Sequence, residues 1–142
     1  MQDQRELIYQ HISQSTRNHL VFCREVIPSL TFINVGKELA EMLAHEDLNS
    51  PMVSYAADDA FSDMLSQKYD DNVIGSYLAL ANIGILFEQE LGFNIRKTFE
   101  AESRNRTLII CSLGEIKNNH YYFYSEGDGV DIDLTGLPYL VM

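Results

Sequence analysis

The stretch Ser76-Tyr77-Leu78-Ala79-Leu80-Ala81-Asn82-Ile83-Gly84-Ile85-Leu86-Phe87 decides the fold class of this 142-residue chain. It is apolar almost throughout. A strand with one wet face alternates apolar and polar residues, whereas a strand covered on both faces reads as a continuous apolar run. Residues 107–113 form a second such run, and 19–23 and 30–34 form shorter ones. All four read as strands.

The segments between them change period. Val35, Leu39, Met42 and Leu43 recur at helical spacing, and that helix should stop near His45, before Asn49-Ser50-Pro51. Residues 57–69 carry the stripe Ala57, Ala60, Phe61, Met64 and Leu65. Asp58 and Asp59 would then lie in the first turn and Lys68 in the last, as the helix dipole favours. Leu91, Ile95 and Phe99 mark a further helix, and residues 3–15, with Leu7, Ile8 and Ile12 on one face, a short leading one. Strand segments follow at 120–125, around Val130, Ile132 and Leu134, and at 138–142. Buried strands alternating with amphipathic helices predict a single three-layer α/β domain over residues 1–142. Its sheet should be mostly parallel, with an antiparallel C-terminal edge.

Charge narrows the function. The net charge of -11 repels phosphate backbones and anionic membrane surfaces, so direct nucleic-acid binding is disfavoured and a basic protein partner is admitted. Such a surface could also occupy a DNA-binding partner as an acidic mimic. The most acidic part, Glu46 to Asp71, sets Glu46, Asp47, Asp58, Asp59, Asp63, Asp70 and Asp71 against Lys68 alone. No run approaches the length of a membrane span, and the polar start Met1-Gln2-Asp3-Gln4-Arg5-Glu6 is wrong for a secretory signal. Cys23 and Cys111 sit in apolar runs and read as buried small hydrophobes on neighbouring strands, not as a disulfide or a metal pair, which suits a reducing cytoplasm.

Catalytic patterns fail one by one. Gly36-Lys37 has Thr31 where a phosphate loop needs its first glycine and Glu38 where it needs a magnesium-binding hydroxyl, so it reads as a helix start. Glu115-Ile116-Lys117 resembles the Glu-x-Lys of metal-dependent nucleases. It falls past a strand end beside Asn118-Asn119, with no paired acid in view, and reads as a solvated turn. A small nuclease or phosphotransferase using Glu115 and Lys117 is the rival enzyme reading. Asp128, Asp131 and Asp133 miss the calcium-loop spacing. His11, His19, His45 and His120 lack ligand spacing and read as surface or helix-end residues. Tyr121, Tyr122 and Tyr124 lie on one aromatic strand, packed on one side and partner-facing on the other. That strand or an exposed sheet edge would also permit self-association.

Three segments in order carry a resemblance: Ile33-Asn34-Val35-Gly36 with Glu38-Leu39, then Leu80-Ala81-Asn82-Ile83-Gly84-Ile85-Leu86-Phe87, then Ser103-Arg104-Asn105-Arg106-Thr107. Over residues 19–125 the chain resembles the small P-loop accessory protein of type-3 BREX phage-defence systems. The resemblance implies a P-loop-NTPase-like fold whose second segment is a Walker-B-like strand. Ala81 and Gly84 stand where that family has the magnesium-holding aspartate and the water-polarising glutamate. The family's glycine-rich loop should follow the first strand, but Cys23 runs into Arg24-Glu25-Val26-Ile27-Pro28. A degenerate, non-hydrolysing interaction subunit is therefore expected, with no cofactor or metal. Any persisting ligand site should lie at the carboxyl ends of the strands, with Arg24, Asn34 and Ser112 as polar candidates and Arg106 if its side chain reaches across.

Overall fold

The computed structural model describes residues 4–14, 17–44, 52–87, 91–122 and 131–142. Helix α1 (Gln4–Gln14) leads into β1 (Leu20–Cys23), β2 (Phe32–Asn34), α2 (Val35–Met42) and α3 (Val53–Leu65). Strands β3 (Tyr69–Asp71) and β4 (Gly75–Ala81) follow, then α4 (Ile95–Asn105) and β5 (Thr107–Cys111). The chain ends with β6 (Glu115–Lys117), β7 (His120–Tyr122), β8 (Asp131–Asp133) and β9 (Tyr139–Val141). The fold is α/β, with a mostly parallel central sheet ordered β2-β4-β5-β1-β9 and a small antiparallel sheet ordered β6-β7-β8. No helix among the described residues is long and apolar enough to cross a membrane.

The continuous apolar strands are explained by a core on each face. Leu20 and Phe22 of β1, Leu78 and Leu80 of β4, and Leu108 and Ile110 of β5 point to one side. There they meet Leu39 of α2, Phe61 and Met64 of α3, Phe99 of α4, and Tyr121 and Ile132 of the small sheet. The alternate residues Val21, Cys23, Tyr77, Ala79 and Ile109 point to the other side. That side is covered by Ile8 of α1 and by Ile27 and Leu30 of the loop after β1.

Several expected boundaries move. The helix expected over 57–69 begins at Val53, because Val53 and Ala57 pack with Leu43 and Leu91 in a separate cluster. Asp58 and Asp59 therefore sit beyond the first turn, and Lys68 lies past the helix end. Tyr69 is withdrawn into β3, which pairs antiparallel with β4. Asp71 turns that hairpin by accepting from Val73 N and Ile74 N at 2.7 and 3.1 Å, while Arg5 of α1 bonds to it at 3.1 Å.

The run 76–87 is not one strand. β4 ends at Ala81, Asn82 takes a φ of 54°, and a 3₁₀ turn over Gly84–Phe87 tucks Leu86 into the core. The last strand also differs from expectation: β9 joins β1 in parallel, and the antiparallel C-terminal pairing forms the separate small sheet. Glu115-Ile116-Lys117 is a strand of that sheet, not a solvated turn. Asn118 and Asn119, at φ 53° and 63°, make the two-residue turn whose twist suits a hairpin, and it pairs Lys117 with His120.

Candidate functional site

The loop leaving β1 drops to the α1 face, where Ile27 and Leu30 are buried. The segment leaving β5 rises to the opposite face, where Tyr121 packs. Adjacent parallel strands whose outgoing connections part in this way open a crevice at their carboxyl ends, the usual ligand position in open α/β sheets. Clefts open there. One, of about 430 Å³, runs between the ends of β1, β5 and β9 and the small sheet, and includes Arg24, Ser112, Glu115, Lys117 and Tyr139. Another, of about 390 Å³, runs along the ends of β4 and β5 and includes Ala81, Asn82, Gly84 and Cys111. Arg24 and Ser112 border both.

The rim is shaped by local contacts. Ser112 N donates to the Cys23 carbonyl at 2.9 Å, which closes the β1–β5 pair at its end. The Ser112 hydroxyl accepts from the Tyr121 hydroxyl and from Gly114 N at 3.3 Å. Gly114 leaves no room for a side chain: a Cβ there would stand 2.5 Å from the Tyr121 hydroxyl and the Tyr122 carbonyl. Burial pushes the Tyr121 phenol above its ordinary range, partly offset by the Ser112 contact. Tyr121 is therefore no interface residue. It is 2% exposed and stacked on Phe22 at 5.2 Å. Tyr122 is half-buried on the other face, stacked on His120 at 6.2 Å. Tyr124 lies outside the described residues, as do Asp128 and His45.

The four polar candidates separate into three roles. Arg24 and Ser112 meet at the crevice. Asn34 ends β2, also at the carboxyl side, but its side chain caps α2 by accepting from Lys37 N at 3.0 Å and takes a second bond from Asn82 Nδ2 at 2.8 Å. Gly36 N in turn donates to the Asn82 carbonyl at 2.9 Å. Asn34, Gly36 and Asn82 thus form a clasp joining two of the segments that carry the resemblance, and Gly36-Lys37 is a helix start. Arg106 does not reach across. It precedes β5, at the opposite end of the sheet, and donates to the carbonyls of Leu65 and Gln67, the latter at 2.5 Å. It supplies the cation at the end of α3 that Lys68 was expected to provide.

The small sheet places Glu115, Tyr122 and Asp131 in one register row, and Lys117, His120 and Asp133 in the next. Strands lie about 4.8 Å apart, so Glu115 and Asp131 are separated by roughly 9.6 Å of sheet. His120 Nε2 stands 3.9 Å from Asp133 Oδ1. Among the described residues no three of His, Cys, Asp and Glu gather in a metal-holding group. His11 is a helix-end residue, in the last turn of α1, but sequence reasoning missed its half-burial. Its Nε2 is buried without a partner, and burial, with His19 nearby, holds its pKa below the ordinary value. Its position beside Ile8 and Ile12 on the inward side of α1 was the available signal. Compared with known proteins, the chain matches no family model, no curated protein and no solved structure.

Proposed function

We propose that this chain is a non-catalytic interaction or assembly subunit, built on a degenerate P-loop-like domain and acting in the cytoplasm as part of a bacterial phage-defence system. Its contact surface is the rim of the β1–β5 crevice. The observation that carries this reading is what occupies the carboxyl end of β1. A phosphate-binding loop needs glycines whose backbone amides surround the phosphates. Residues 24–31 contain no glycine, and Ile27 and Leu30 are committed to the core. At the end of β4, Ala81 and Gly84 offer nothing to hold magnesium or polarise water.

The rim instead presents apolar surface around a cation. Leu113 is 72% exposed and Val141 56% exposed, and both line clefts that hold Arg24. Single exposed apolar residues are ordinary, but a group of them beside an arginine has the composition of a protein contact. The partner is a protein, basic or another component of the same defence machinery. A second copy of this chain is also compatible with the open edges at β9 and β2. The charge of -11 disfavours direct nucleic-acid contact.

Calorimetric titration with magnesium and ATP or GTP tests the catalytic half. The expected trace shows no tight, magnesium-dependent binding, and such binding would sink the reading. Affinity capture from native cells tests the rim. Leu113→Asp should lose a partner that the unaltered chain retains, and undiminished capture would remove the rim as the contact surface.

A further inference from the structure

The floor of the crevice holds a feature that the interaction reading does not use. Cys23 ends β1 and Cys111 ends β5, and the two are direct partners in the parallel register. Register partners on neighbouring strands point to the same face, and both side chains pack against the α1-side core. Neighbouring strands lie about 4.8 Å apart, within the roughly 4.4–6.8 Å Cα separation that a disulfide spans. Both thiols are free, and each perturbs the other's titration, as close neighbours do. Their access differs. Each borders a cleft that holds Arg24 and Ser112, but Cys23 is only 3% exposed whereas Cys111 is half-buried.

We propose that Cys23 and Cys111 form a dithiol–disulfide couple whose oxidation ties the two strands of the crevice together. The oxidant class is a low-molecular-weight disulfide. The Cys111 thiolate attacks one of its sulfurs and expels the first small thiolate, leaving a mixed disulfide on Cys111. The Cys23 sulfur then attacks the Cys111 sulfur and expels the second small thiol. One protein S–S bond forms, the small disulfide's S–S bond breaks, and the two protein thiol hydrogens end on the two small thiols. Cys111 is the entry point because it is the more exposed of the two. Burial raises both thiols, Cys23 to about 12, so the forward step is slow and the couple rests reduced until the oxidant accumulates.

The test equilibrates the folded chain in mixtures of reduced and oxidised glutathione, approached from both the reduced and the oxidised side. Samples are quenched in acid, alkylated and weighed intact. The expected result is a single two-electron transition in which monomeric protein loses both alkylatable thiols together and carries no glutathione. Cys23→Ser should trap one glutathione on Cys111, and Cys111→Ser should stay unmodified while folded. The proposal is overturned if both thiols stay alkylatable at the most oxidising ratio from either direction. It is equally overturned if oxidation produces covalent dimers, or if Cys23 is the residue that takes glutathione.

Discussion

Gly36→Ala reads the Asn34–Gly36–Asn82 clasp directly. In a helix, alanine ordinarily replaces glycine with a gain of up to about 1 kcal/mol. Gly36 stands in the first turn of α2, capped by Asn34. The opposite sign is expected here. A Cβ on Gly36 would lie 2.4 Å from Asn82 Nδ2, 2.8 Å from its Cγ and 3.1 Å from its carbonyl oxygen. The Asn82 side chain must swing away, which breaks its 2.8 Å bond to Asn34 Oδ1. That exposed bond contributes about 0.5–1.5 kcal/mol. Overpacking against the Asn82 backbone adds about 1–3 kcal/mol. After the helix gain, the net loss centres near ~2 kcal/mol, or about 4–8 °C in Tm for a chain of this size. Urea unfolding followed by tyrosine fluorescence and far-ultraviolet circular dichroism measures it. Asn82 already sits at a φ of 54°, so Asn82→Gly suits its backbone and removes the obstacle. The double variant should recover most of the loss. Unchanged or increased stability of Gly36→Ala would refute the clasp as the reason for glycine there.

Other expected outcomes follow from the same contacts. Tyr121→Phe keeps the ring on Phe22 and removes the Ser112 bond, so it should cost about 1 kcal/mol. Tyr121→Ala empties the site and should cost about 3–5 kcal/mol; equal unfolding midpoints for the two would contradict a core role. Arg106→Ala removes donors to two helix-end carbonyls and should destabilise by about 1–3 kcal/mol in denaturant unfolding. Arg106→Lys should recover only part, since one ammonium lacks the guanidinium's fork. His11 is held below its ordinary 6.5, chiefly by burial, so the folded chain binds fewer protons than the unfolded chain just below that pH. Its contribution to stability is full above 6.5 and falls as pH drops from there through the lowered folded value. His11→Gln should flatten the stability profile between about pH 7.5 and about pH 5.5, and an unchanged slope would assign the pH dependence elsewhere.

The strands and helices were legible in the sequence because burial on both faces leaves an apolar run and burial on one leaves a stripe. The placing of Cys23 and Cys111 on neighbouring strands followed from their apolar runs, and the crevice position of Arg24 and Ser112 from the carboxyl ends of those strands. What was not legible depends on distant partners. Nothing near Val53 announces that Leu43 and Leu91 will bury it and lengthen α3. The polarity of Glu115 and Lys117 hides a strand whose only inward residue is Ile116, and pairing with β7 decides the matter. Arg106 reads as a ligand group or a strand-start charge until α3 is seen to end beside it. Tyr121 belongs to the core because Phe22 and Ser112 meet it from another sheet, which no local pattern records.

The strand order has a consequence for how the chain is made. β1 leaves the ribosome well before either of its partners, β5 and β9, which lie far along the chain from it. Of the described elements that cover β1, α1 and the following loop emerge close to it, while its other face, with Leu20 and Phe22, waits for helices not yet made. Assembly of the sheet centre is thus a late, long-range event, which slows folding. It also leaves an apolar strand without its neighbours while the rest of the chain is still being added.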